Sequence, residues 1–187
     1  MTVTYFKRYR MQFDLRDGCL ECPEIAENYS VEPWSGEILK SHAVAKYQSF
    51  REELDSNVFP CLGDSEGCLK LMKEISCRQG FISAATWLVN HTDPVSGRIE
   101  HCGTVQGIRD QPDVGSIRNL GISPNHRSKG LGTVLLAKCL EGFKEAGIKF
   151  VNLEVTAQNL GAIRLYERVG FRTLRTVFKS IDVNYRH

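Results

Sequence analysis

Arg127-Ser-Lys-Gly130-Leu-Gly132 leads from the end of a strand-like segment straight into an apolar helical stretch. The first turn of a helix carries unpaired N–H groups and the positive end of its dipole, so such a junction draws anions. Gly130 and Gly132 remove side chains where a phosphate would approach the backbone, and His126, Arg127 and Lys129 add positive charge at the mouth. A diphosphate is the ligand that suits this turn. A tight strand-to-helix connection would use the same glycines for packing alone. Two nucleotide motifs are excluded. No Gly-Lys-Ser/Thr follows the spacing of a P-loop, and position 135 is Leu where a dinucleotide fingerprint needs Gly.

Just upstream, Ile117 falls on odd parity while Leu120 and Ile122 fall on even, so the apolar alternation slips between Arg118 and Gly121. A β-bulge near Gly121 would produce that slip, and so would a misplaced strand register. A bulge frees backbone N–H and C=O groups, with which an extended, amide-bearing ligand could pair as an added strand.

The elements that must position these residues follow from periodicity. Residues 5–15 read as a strand, and 16–35, with Asp17-Gly18, Pro23, Pro33 and Gly36, as an irregular connection. Helical spacing marks 36–55 and 64–79, the second with Asp64 or Ser65 as N-cap. Strands at 81–89, 99–108 and 114–122 are joined by short turns and predict an antiparallel meander. A helix over 130–146, a strand over 150–155, a helix over 159–169 and a strand over 171–181 complete the chain. The expectation is one domain over residues 1–187, an α/β mixed sheet with helices on both faces.

Composition sets outer limits. Of 187 residues, 42% are hydrophobic and 25% charged, which excludes disorder. The net charge of +2 is too balanced to imply nucleic acid or an anionic membrane. No apolar run or signal core is present, so a cytoplasmic protein is expected. Seven cysteines do not form a disulfide framework, and Cys19-x-x-Cys22 supplies only half a zinc site, so no metal is expected. His42, His91, His101 and His126 lack partners at metal-ligand spacing and read as surface or loop residues. Tyr5-Phe-Lys-Arg-Tyr-Arg10 reads as an edge strand with a solvated cationic face rather than an RNA platform. Trp34 and Trp87 read as core or pocket wall.

With these residues assembled, the chain resembles the GNAT superfamily of acyl-CoA-dependent N-acyltransferases. The matching residues are Arg127-x-x-Gly130-x-Gly132, then Leu153-Glu-Val-Thr-Ala-Gln-Asn159, Ala162, Leu165-Tyr166-Glu167 and Gly170-Phe171. They span roughly residues 81–181; residues 1–80 share only a strand followed by two helices. The resemblance implies a mostly antiparallel sheet of six to seven strands. It also implies acetyl-CoA as cosubstrate, with the backbone of Leu120, Gly121 and Ile122 pairing with pantetheine and Arg127, Ser128, Lys129, Gly130, Leu131, Gly132 and Thr133 cradling the diphosphate. Asn159 would hydrogen-bond the coenzyme arm, and Tyr166 would lie near the sulfur. The later run is most similar to ribosomal-protein N-terminal alanine acetyltransferases, whose general base and acid fall on Glu154 and Tyr166. The segment Cys19–Trp34 and the helices of 36–79 depart from that subgroup, which leaves the acceptor open.

The chemistry is consistent with those roles. Attack on a thioester needs a neutral amine; a lysine with pKa ~10.4 is more than a thousandfold protonated at pH 7, and an α-amino group near ~8 about tenfold. A carboxylate can take that proton directly or through water, and a phenol can return one to the departing thiolate. On sequence alone Glu154 also fits a solvent-facing strand carboxylate, and Tyr166 a core aromatic. The backbone N–H of Ile122 would face the developing oxyanion. The leading expectation is direct acetyl transfer to a primary amine by a monomer or homodimer. A coenzyme-binding sensor without catalysis is the alternative.

Overall fold

The computed structural model describes residues 2–18 and 20–183. Seven strands form one sheet in the order β2-β3-β4-β5-β6-β1-β7. They are β1 (Thr2–Asp14), β2 (Tyr29–Pro33), β3 (Phe81–Thr92), β4 (Ile99–Gln111), β5 (Val114–Ile122), β6 (Phe150–Thr156) and β7 (Arg172–Val183). Five α-helices accompany them: α1 (Leu39–Phe50), α2 (Leu54–Val58), α3 (Ser65–Ser76), α4 (Leu131–Glu145) and α5 (Leu160–Val169). The mixed, mostly antiparallel sheet predicted from the sequence is present. Along β4 the alternation of side chains divides the helices between two faces. Thr104 and Gln106 meet His42 and Lys46 of α1, whereas Gly107 lies under the Phe143 ring of α4. The α4 face holds the main core, including Met11, Val105, Leu135, Phe143 and Val151, none of them accessible to solvent.

One pair of strands is parallel. β5 and β6 run side by side only from Val114↔Phe150 to Ser116↔Asn152, after which they no longer pair with each other. The sheet therefore opens between Ile117–Ile122 and Leu153–Thr156. The slip in parity has its cause in this stretch. Thr104 pairs with Gly121 and Gln106 with Arg118, so three steps along β5 face two along β4. The extra residue is accommodated with Asn119 at φ +47°. Such a bulge bends its strand and strengthens local twist, which helps carry β5 away from β6. Lys46 Nζ reaches through the α1 face to donate to Asn119 Oδ1 at 2.8 Å and Gln106 Oε1 at 2.6 Å.

Three expectations need correction. The 16–35 connection contains β2, which adds to the sheet edge because Tyr29 and Val31 pack against the core and Pro33 ends the pairing. The helix expected over 36–55 is interrupted at Arg51–Glu53, where the chain turns; α2 begins beyond it. The aromatic and cationic strand is not at an edge. β1 lies between β6 and β7, and Arg8 is buried. By contrast Asp64 does cap α3, accepting from Gly67 N–H at 2.6 Å.

Candidate active site

A cavity of about 490 Å³ lies between the end of β5, the N-terminus of α4 and α5, with Phe50, Glu53 and Asp55 closing another side. Leu120, Gly121, Ile122, Arg127, Ser128, Gly130, Leu131, Gly132, Thr133, Asn159 and Tyr166 all line it. Lys129, in the same loop, is exposed and does not. Gly121 is required by close approach, since a Cβ there would stand 2.7 Å from Ser49 Cβ and from the Phe50 ring. Gly130 occupies the N-cap of α4 at φ +78°, and Ser128 also has positive φ. No side chain caps α4, so the N–H groups of its first turn point at the groove, as an anion cradle requires. Gly132 has a packing reason as well, because a Cβ there would press on Leu165 at 3.1 Å.

The cations at the mouth are arranged differently from the sequence expectation. Arg127 is tied down: it donates to Glu53 Oε1 at 2.7 Å and to the carbonyls of Ile122 and Ser49 at 3.0 and 3.2 Å. It thereby clamps the loop to the α1–α2 side. Arg164 and Arg168, one turn apart on α5, line the groove instead. Their four-residue spacing, which puts both on one helix face, is the sequence signal for them.

A second, smaller cavity of about 100 Å³ adjoins the first, sharing Phe50, Asp55, Leu120, Asn159, Ala162 and Tyr166 with it. Glu154 lines only this one. The two predicted chemical residues thus meet the same small space from β6 and α5. Tyr166 is buried, and burial, then the nearby charge of Asp55, pushes its phenol well above the usual range, with Arg8 opposing. It therefore stays protonated. Glu154 is partly exposed; its Oε1 accepts from Arg10 Nη2 at 2.6 Å and Nε at 3.1 Å. Asn159 caps α5 with its carbonyl oxygen, bonded to Ala162 N–H at 3.1 Å, which leaves its amide donors for a ligand. Asp55 lines both cavities and accepts from Thr156 Oγ1 at 3.1 Å. It was missed because a carboxylate in a five-residue helix far from any motif gives no local signal.

The histidines also depart from expectation. His42 and His126 are buried rather than superficial. His42 Nδ1 bonds Thr104 Oγ1 at 2.8 Å, and burial with the neighbouring Lys46 lowers its pKa to about 3. Tyr29 Oη meets His126 Nδ1 at 2.8 Å and Glu100 meets its Nε2 at 3.2 Å, bracing the turn before the glycine loop. His91 joins Glu100 and His126 with ligating atoms within 4.8 Å of one another, a grouping across β3, β4 and a loop that linear spacing hides. Cys19, half of the short cysteine pair, lies outside the described residues.

A sheet parted at its parallel pair, with a glycine-rich helix start at the opening, defines an acetyltransferase fold. The chain belongs to the Acetyltransferase (GNAT) family, whose sequence model matches residues 65–171. Among curated proteins it is 30% identical over 96 residues to a mycothiol acetyltransferase of Nocardiopsis dassonvillei, covering 51% of this chain and 26% of that protein. It is 36% identical over 59 residues to the [ribosomal protein bS18]-alanine N-acetyltransferase of Escherichia coli, covering 32% and 40% respectively. The matched parts thus span well under half of these relatives. Of solved structures, a GCN5-related N-acetyltransferase from Sphaerobacter thermophilus superposes with TM-score 0.67 at 22% identity, over 94% of this chain and 51% of that one. The aminoglycoside N-acetyltransferase AAC(6')-Iy in complex with CoA gives TM-score 0.57 at 14% identity, over 90% and 99%. At these identities the structural likeness concerns the fold. No helix among the described residues is long and apolar enough to cross a membrane.

Proposed function

We propose that the chain transfers an acetyl group from acetyl-CoA to a primary amine by direct attack. The observation that carries this reading is the position of Tyr166, which lines both the long groove and the small cavity, with Glu154 also lining the latter. The groove suits the coenzyme: free N–H groups at the start of α4 for the diphosphate, Arg164 and Arg168 for further phosphate charge, and the unpaired β5 edge for pantetheine. Bound there, the cosubstrate supplies a thioester carbonyl. The amine nitrogen attacks its carbon, the new C–N bond forms and the C–S bond breaks. Glu154 accepts the nitrogen's proton, through one water because its Oε1 is held by Arg10. Tyr166, kept protonated by burial, donates to the thiolate.

Thiol release from acetyl-CoA across a panel of amines tests the assignment. Tyr166→Phe and Glu154→Gln should each lower kcat by roughly 10²- to 10⁴-fold while coenzyme-induced thermal stabilisation persists. Coenzyme binding without turnover on any amine would favour the sensor alternative. Absence of any coenzyme-induced shift would end both.

A further inference from the structure

Tyr29 of β2 lies directly opposite His91 of β3, and His91 lies directly opposite Glu100 of β4. Residues paired in this way across antiparallel strands point to the same face, with Cβ atoms about 5 Å apart. The three side chains therefore stand in a row across the sheet. His126, from the turn before the glycine loop, comes down on that row. Its ring centroid is 4.8 Å from that of His91 and 5.7 Å from that of Tyr29. His91, Glu100 and His126 each offer a ligating atom, and these atoms lie within 4.8 Å of one another.

The bonds around His126 are those that a metal-ligating histidine needs. Nδ1 is 2.8 Å from Tyr29 Oη, and Nε2 is 3.2 Å from Glu100 Oε2. A ligating histidine donates its other ring N–H to a neighbour that fixes the tautomer, and Tyr29 is placed for that part. With metal–ligand bonds of ~2.0–2.1 Å, two donors of a tetrahedral site stand about 3.3 Å apart, close to the Nε2–Oε2 spacing. His126 is buried and already aimed, whereas His91 is half-buried and Glu100 exposed. Drawing the set together thus needs side-chain turns only on the accessible side. His91 Nε2 meets the Asn28 amide at 3.0 Å, a neutral partner that a cation displaces or keeps, according to which ring nitrogen it takes. A hydrogen-bonded brace accounts for Tyr29, His126 and Glu100, but it gives no reason for a second imidazole beside them. Two imidazoles and one carboxylate are the donors of zinc and its late first-row neighbours; calcium and magnesium ask for oxygen alone.

We propose that His91, Glu100 and His126 form a binding site for one divalent cation of the zinc class, with water in the fourth position. Tyr29 orients His126 and does not touch the metal. The cation joins β3 and β4 to the turn Pro124–His126, immediately before Arg127, and so pins the segment from which the glycine loop starts. The expectation of no metal came from linear spacing, and strand register is what brings these ligands together. The site stands apart from the acetyl-transfer reading, since no step of that reaction passes through it.

Metal titration of the full chain, stripped with a chelator and kept reduced, tests the proposal. Cobalt bound to the wild-type chain should give visible d–d bands without the near-ultraviolet charge-transfer band of a thiolate, which separates this site from the cysteines. That spectrum needs no variant. Zinc affinity should fall by about tenfold or more in Glu100→Gln, which keeps an oxygen to accept from His126 but loses the charged ligand, and likewise in His91→Gln. The paired change Cys19→Ser and Cys22→Ser should leave it unaltered. Zinc at about a hundredfold its Kd should raise the thermal midpoint of the wild-type chain and leave that of Glu100→Gln where it was. Absence of zinc and cobalt binding to the wild-type chain would overturn the site and leave a hydrogen-bonded brace in its place. So would binding that carries the thiolate band and is lost in the cysteine variant, or equal zinc affinity in the wild-type chain and Glu100→Gln.

Discussion

The groove side of the molecule, from β3 to α5, and the opposite side, made of β1 and residues 16–80, build their surfaces in different ways. On the groove side the chain presents main-chain groups: a strand edge freed by a bulge, and the N–H groups of a helix start with glycine at φ +78°. Each needs a particular residue at a particular step, so the local sequence carries the requirement. On the other side the cavity wall is assembled from side chains far apart in the chain. Arg8 and Glu154 are separated by 146 positions, and Thr156 and Asp55 by 101. Main-chain sites write themselves into short motifs; side-chain sites of this kind are written only in the fold.

The largest effect should come from disturbing the main-chain side. α4 lies so close to β3 that a Cβ on Gly142 would run into the backbone carbonyl of Ala84 and come within 2.6 Å of Ala85 N. Backbone cannot step aside as a flexible side chain can, so helix and sheet must separate. Gly142→Val should cost about 3 kcal/mol or more, read as a lower urea midpoint at unchanged slope. It should also weaken coenzyme binding, because α4 carries the anion cradle at its start. A midpoint within error of wild type would show that the close contact of α4 with the sheet does not govern this half.

This contrast also explains what could be read in advance. The strands and helices from Phe81 onward were legible because their alternation, caps and glycines agree with one another. The bulge was legible as a parity fault between Arg118 and Gly121. The region before Phe81 was legible only in outline. β2 was hidden among turn residues, since a five-residue strand shows too little alternation between Pro23 and Pro33. The fate of Tyr5–Arg10 depended on strand order, which periodicity does not encode; inserting β1 between β6 and β7 turned a solvated cation into a buried one. Lys46 left a faint trace. His42, Lys46 and Ser49 recur at steps of four and three on α1, a polar stripe facing the sheet where apolar residues are the rule.

Lys46 gives the intermediate prediction, since it joins the two sides. Its ammonium is wholly buried against Gln106 and Asn119, and burial lowers its pKa to about 7, with Cys68 and Cys61 opposing. In the unfolded chain it titrates near ~10.4. Between those values the unfolded state holds a proton that the folded state has shed, so stability rises with pH across this window and is level below pH 7. His42, lowered to about 3, works the same way but in a separate window that ends near ~6.5. The difference in stability between wild type and Lys46→Met should therefore shift in favour of wild type by on the order of 1 kcal/mol per pH unit above neutrality. A difference independent of pH from 7 to 10 would mean that Lys46 keeps its charge in the fold. The bulge would then be held by an ion rather than by a neutral amine donating two hydrogen bonds.

The smallest effect belongs to the side-chain half, away from both cavities. Asp64 caps α3 through Gly67 N–H and lines neither the groove nor the small cavity. Its carboxylate is solvent-accessible, so losing it forfeits one cap bond and a favourable dipole contact without leaving a buried group stranded. Asp64→Ala should cost about 1 kcal/mol in a denaturant titration. The thermal stabilisation given by saturating coenzyme should be unchanged, because no residue of α3 lines the groove and the α4 start does not depend on its cap. If the coenzyme response fell along with stability, α3 and the groove would be coupled through α1 and Lys46, and the division between main-chain and side-chain halves would have to be drawn on the other side of α1.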